Sequence, residues 1–179
     1  RRLERALVFS RPRAMRLPLF AVILLHTAAI AEPMEKLSDF ELIDQDAKTR
    51  SYRFPKAKVT VMTVADHKGS DQLSPWIQAL HDRYRKRIDI DGVADVSMIP
   101  KLFHGMFREA FRKKLTYSVM LDWEGSVVKE FGYTKGVANI YVIDRSGRIV
   151  QQVTGAMREA AARELFDQID RVLENPSQK

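Results

Sequence analysis

Apolar residues along this chain come in two kinds of run, one of strand character and one spaced by threes and fours. Residues 59–65 (VTVMTVA) are continuously apolar and β-branched over the length of a strand, the pattern of a strand covered on both faces. Residues 40–43 and 51–54 are short extended runs flanking Asp44-Gln45-Asp46-Ala47, a turn signal. From about residue 71 to residue 87, Leu73, Trp76, Ile77, Leu80 and Tyr84 share one helical face. Pro75 lies near the start of that helix, where a first-turn proline is tolerated. Residues 93–97 form a weaker strand that Pro100 ends. In residues 101–114 (KLFHGMFREAFRKK), one side carries Leu102, Phe103, Met106, Phe107, Ala110 and Phe111, and the other Arg108, Arg112, Lys113 and Lys114. A strand over 117–121 and one or two helical turns ending at Gly132 follow.

Residues 136–155 (GVANIYVIDRSGRIVQQVTG) read as a β-hairpin. Two strand-forming runs flank Asp144-Arg145-Ser146-Gly147, with Asp at the front of the turn and Gly where a positive φ is needed. Residues 158–173 have helical spacing. The predicted order is hairpin, strand, helix, strand, helix, strand, short helix, hairpin, helix. Alternation of this kind argues an α/β fold with a helix-covered sheet.

Composition removes several chemistries. The 179 residues include no cysteine, so disulfides, thiol nucleophiles, thiol redox reactions and cysteine metal ligands are all excluded. The formal charge of +7 suggests an anionic partner until it is divided along the chain. Residues 1–31 hold six arginines and one glutamate, which leaves a net of only +2 on residues 32–179 and a weak case for nucleic-acid binding. The arginines precede an apolar segment at 20–30 that closes with Ala29-Ile30-Ala31, the pattern of a secretory signal peptide. Cleavage after Ala31 is expected, leaving Glu32 first; the segment is shorter than the roughly 20 residues of a spanning helix. Residues 1–14, ahead of Met15-Arg16, form an N-terminal extension to it. A retained membrane anchor is the alternative to export.

Phe40-Glu41-Leu42 with residues 44–47, the run at 59–65, Pro75 within 73–84, and above all Phe131-Gly132 followed by residues 136–149 carry a family likeness. The last block follows, roughly, G-V-x-x-x-F/Y-x-I-D-x-x-G-x-I. On these residues the chain resembles the redoxin branch of the thioredoxin-like superfamily, which includes exported thiol-disulfide reductases and peroxiredoxins. The resemblance spans about residues 40–173. It implies a thioredoxin-like three-layer sandwich, with a central mixed sheet and helices on both faces, as a single domain over 32–179. It also implies that the family's C-x-x-C pair falls on His67 and Ser70, within Asp66-His67-Lys68-Gly69-Ser70, and that the cis-proline facing it falls on Ala138. A cis bond before a residue other than proline costs about 2.5–4 kcal/mol, so a trans bond is expected there.

Asp66, His67, Ser70 and Asp71 are the one cluster that offers substitute chemistry. Histidine serves as a general base or a metal ligand, and a helix N-terminus favours anions. One histidine with aspartates is half a metal site, and the plainer reading makes Asp71 or Ser70 an N-cap and His67 an exposed loop residue. His81 and His104 would join a zinc site only if the fold converged them. The Phe103, Phe107 and Phe111 stripe reads first as a core-facing helix and second as a partner- or membrane-binding one. Trp123 shows no preference between packing and exposure.

The expected function is therefore that of an exported, periplasmic or secreted, non-catalytic binding or accessory module. It would have no catalytic residue, metal or cofactor and would contact another protein or a peptide near His67 and Ala138. Nucleic acid is not an expected partner, and a membrane is expected only through an uncleaved leader. The alternatives are a hydrolytic or metal-dependent enzyme using His67 and nearby carboxylates, and an oxidoreductase of the redoxin family.

Overall fold

The computed structural model describes residues 36–115 and 117–174; the leader and its cleavage site lie outside them. Thirteen elements follow in order: β1 (Phe40–Asp44), β2 (Thr49–Tyr52), β3 (Thr60–Ala65), α1 (His67–Ser70), α2 (Leu73–Tyr84), β4 (Asp89–Asp95), a 3-10 turn (Lys101–Phe103), α3 (His104–Lys114), β5 (Met120–Asp122), α4 (Ser126–Glu130), β6 (Asn139–Ile143), β7 (Ile149–Thr154) and α5 (Glu159–Glu174). The seven strands make one sheet in the order β2-β1-β5-β4-β3-β6-β7. β3, β4 and β5 run parallel, and the remaining pairings are antiparallel, so the sheet is mixed.

Every residue of β3 is buried, as a continuous apolar run requires. Its alternate side chains feed two cores. Met62 and Val64 join Phe40, Tyr52, Val93, Tyr141 and the α4 residues Val127 and Val128 on one face. Val61 joins Ile140, Val142, the α2 residues Trp76, Leu80 and Tyr84, and the α5 residues Ala162, Leu165 and Ile169 on the other. Helices thus cover both faces of the sheet, as the alternating pattern predicts, and the architecture is the three-layer α/β sandwich that the resemblance implies.

Both turns are built on aspartate. Asp44 Oδ1 accepts the N–H groups of Asp46 and Lys48 at 2.9 Å each. Asp144 Oδ1 accepts those of Ser146 and Arg148 at 2.8 and 3.0 Å. Gly147 has φ +94°, and a Cβ there would meet the Phe54 ring at 2.7 Å, so the turn admits glycine alone.

Three expectations need correction. β4 begins at Asp89, four residues before the predicted strand, and takes in the acidic residues Asp89 and Asp91. Those acids are partnered: Asp89 by Lys56 and Lys58 at 3.4 and 3.5 Å, Asp91 by Arg50 at 3.3 Å and by the Tyr52 hydroxyl. β5 is correspondingly short, Met120–Asp122, and lies later than 117–121. The largest correction concerns α3. Its stripe does not face a core: no residue of the helix is buried, and Leu102 and Met106 are 87 % and 62 % exposed.

Candidate functional site: the loop after β3 and its partner segment

β3 delivers its chain to the edge of the sheet at Ala65, and the next residue, Asp66, turns it. Asp66 is extended and caps the single turn of α1 by accepting the Gly69 N–H at 2.8 Å through Oδ1. The residues read as an open polar loop are therefore a helical turn. The cap is Asp66 rather than Ser70 or Asp71, while α2 starts at Leu73 with Gln72 ahead of it forming no side-chain cap. Pro75 falls in the first turn of α2, where its missing N–H costs nothing.

The second carboxylate oxygen of Asp66 reaches across the sequence. Oδ2 accepts the Gly136 N–H at 2.9 Å. Gln72 Oε1 accepts the Ala138 N–H at 3.2 Å. Asn139, fully buried at the head of β6, closes the same segment from within, donating from Nδ2 to the Thr134 and Val137 carbonyls at 2.9 and 3.0 Å and accepting the Thr134 N–H at 2.9 Å. Between the two segments there is no room for a side chain. A Cβ on Gly69 would stand 2.2 Å from the Val137 carbonyl oxygen. The structure thus brings the 66–70 turn and the 136–139 segment into direct backbone contact, and the peptide bond before Ala138 is trans.

His67 and Ser70 are exposed on the outer side of this joint. The Ser70 hydroxyl donates to the His67 main-chain carbonyl at 2.7 Å, which occupies it locally and leaves it unengaged with the ring. Ala138 is fully buried, and its carbonyl accepts the Gly155 N–H at 2.7 Å. Gly155 in turn accepts the Trp76 indole N–H at 3.0 Å, so α2 is fastened to the hairpin beside the site. Among the described residues, His67, His81 and His104 do not converge, and no group of three or more His, Asp or Glu side chains is placed to hold a metal ion.

A second polar group lies at the end of β4. The nearly buried Asp95 carboxylate accepts the N–H and hydroxyl of Ser97 at 3.0 and 2.6 Å and the hydroxyl of Tyr133, with Lys135 at 4.0 Å. Burial raises the pKa of this carboxyl, but the Ser97 and Tyr133 hydrogen bonds and the Lys135 charge outweigh it and hold the group below the ordinary aspartate range. Burial, then the Asp95 bond, push the Tyr133 phenol well above its usual value, so it serves as a donor throughout the physiological range.

Sequence reasoning singled out Asp66, His67, Ser70 and Ala138 and missed Gly69, Gln72, Asn139 and the Asp95–Tyr133 pair. Only Gly69, a glycine at a loop-to-helix junction, carried a usable signal. Gln72 acts across 66 residues and the Asp95–Tyr133 pair across 38, which leaves no local mark, and Asn139 acts on Thr134 and Val137 close by without a recognisable motif.

The described part of the chain superposes on solved structures of thioredoxin-like proteins. These include the pneumococcal exposed lipoprotein thioredoxin Etrx1 of Streptococcus pneumoniae strain TIGR4, with a TM-score of 0.60 at 19% identity, covering 75% of this chain and 99% of that one. A DsbE-type thiol:disulfide interchange protein of Chlorobium tepidum gives 0.59 at 20%, over 79% and 98%. Peroxidoxin BcpB of Mycobacterium tuberculosis gives 0.55 at 18%, over 78% and 97%. The chain has the thioredoxin-like fold and, unlike a thiol oxidoreductase, no cysteine. No family model and no curated protein matches it.

Proposed function

We propose that this chain is an exported, non-catalytic binding or accessory module that uses a thioredoxin-like frame for contact with another protein or peptide. The joint between the 66–70 turn and the 136–139 segment carries this reading. The resemblance puts the family's cysteine pair on His67 and Ser70, so the chain offers no sulfur there. The main-chain groups beside these residues are spent internally, the Gly136 and Ala138 N–H on Asp66 and Gln72 and the Val137 carbonyl on Asn139. A hydrogen-bonded, side-chain-free joint is stiff, and a stiff surface suits recognition because little ordering entropy is lost on contact.

The contact surface is then made of side chains, His67, Lys68 and Val137, rather than of main-chain pairing with an added strand. Ala138 is too buried to report on a partner. The test is a photo-crosslinking residue placed at His67 or Val137 in cells. One or two discrete adducts are expected, and a smear of non-specific products at both positions would overturn the proposal. In parallel, disulfide reduction and peroxide turnover are expected at background. Turnover abolished by His67→Ala would favour an enzyme instead.

A further inference from the structure

The 3-10 turn and α3 carry an apolar surface that no described residue covers. Met98, Leu102, Phe103 and Met106 are 82 %, 87 %, 43 % and 62 % exposed. Leu102, Met106 and Ala110 follow one another at intervals of four and form one stripe, with open space around Gly105 between them. The helix is nevertheless anchored. His104 stacks on Trp123 with ring centroids 3.7 Å apart, its Nε2 lies 3.0 Å from the Ile99 carbonyl oxygen, and Phe107 and Phe111 are half-buried. The exposed stripe is therefore the side of a positioned helix turned away from its support.

The charge of the segment is predominantly positive. Residues 101–114 include five basic side chains and one acidic one, Glu109, already held by Arg112 and Lys113 at 2.7 and 3.5 Å. Their net of +4 exceeds the +2 of residues 32–179 as a whole, so the remainder of that span is net negative. Within the segment the apolar tips stand at the front and Arg112, Lys113 and Lys114 in the last turn of α3, so positive charge and exposed apolar surface lie side by side.

We propose that the Met98–Lys114 segment docks on an anionic lipid surface, the apolar tips entering the headgroup boundary and the lysines and arginines resting on the phosphates. Three of the basic residues are lysines, a type depleted at protein–protein interfaces, and long cationic side chains keep their charge in the headgroup layer while their stems lie along apolar surface. Leucine and methionine that stand almost wholly clear of their neighbours need no shaped pocket in a bilayer. The proposal is independent of the reading given above for the 66–70 joint.

A chain without cysteine lends itself to a local test. Leu102→Cys is labelled with a solvatochromic dye in the full-length protein and mixed with phosphatidylcholine vesicles with and without phosphatidylglycerol. A blue shift with the anionic vesicles, quenched by nitroxide-bearing lipid, is expected. Combining Lys101→Glu, Lys113→Glu and Lys114→Glu is expected to weaken it on the order of a hundredfold or more in apparent lipid affinity. The same dye at Arg163→Cys on α5 is expected to stay in water, and circular dichroism checks that each variant is folded. A label at 102 that remains wet on anionic vesicles would overturn the proposal and leave the stripe to a protein partner. An equal shift on uncharged vesicles, or an equal shift at 163, would overturn it as well.

Discussion

α2 and α3 have the same apolar period and opposite fates. α2 buries Trp76, Leu80 and Tyr84 completely and fastens both ends of that row, through the Trp76 indole to Gly155 and the Tyr84 hydroxyl to the Phe166 carbonyl at 3.1 Å. α3 buries nothing. The period says that a helix has an apolar side; whether that side is covered depends on the surface opposite. Under α2 lie Val61, Ile140 and Val142, large residues of full-length strands, with α5 closing the flank. α3 has no such bed: it rests on the His104–Trp123 stack and on the half-buried Phe107 and Phe111.

The contrast can be broken by mutation. Trp76→Ala is expected to cost about 3–5 kcal/mol in urea denaturation, since a fully buried indole leaves a cavity and an unpaired Gly155 carbonyl. A loss under 1 kcal/mol would mean that α2 is no better anchored than α3. Gly69→Ala, at the joint just ahead of α2, is expected to cost about 1–3 kcal/mol because its Cβ collides with main chain rather than with a movable side chain. Hydrogen exchange at Gly136 and Ala138 should then speed up selectively; unchanged protection would show that the contact is slack.

Acid sharpens the comparison on the α3 side. Asp95 ends β4, and Asp44 accepts the Ser118 hydroxyl at 2.9 Å in the chain leading to β5. At Asp44 too, burial is outweighed, here by N–H donors of Lys48 and Asp46, by Ser118 and by the Arg50 charge, so both carboxyls titrate below their ordinary range. A folded pKa below the unfolded one adds stability that is complete above the unfolded value and disappears as pH falls through the folded value. Stability is expected to hold at neutral pH and to decline below about 4. Asp95→Asn should lower it at neutral pH and flatten that decline. An unaltered acid limb would remove Asp95 from the account. The smallest effect is expected from Leu102→Ala or Met106→Ala, each within about 0.5 kcal/mol of the parent. A melting shift comparable to that of Trp76→Ala would show that the stripe is packed after all.

Much of the fold was legible before any coordinates. The hairpin at 136–155, the buried run at 59–65 and the helical rows of α2 and α5 each carry a local period that only one element type satisfies. β4 was legible only in its second half, because Asp89 and Asp91 become strand residues through Lys56, Lys58, Arg50 and Tyr52, which lie about 30 to 40 positions earlier. At the candidate site, Asp66 and Ala138 were singled out, yet what joins them was invisible. A carboxylate that bridges two N–H groups 67 residues apart, Gly69 and Gly136, looks in sequence like any other aspartate.

By itself, then, the sequence determined the class of the fold, the absence of thiol chemistry and the existence of an amphipathic segment at 101–114. Those follow from period and composition, which are properties of neighbours along the chain. The tertiary structure decided that the 66–70 turn is sealed against 136–139 and that the 101–114 stripe is bare. Both depend on what a side chain meets across space, and a helix period is the same whether the opposite surface is filled by Val61 and Ile140 or left to solvent.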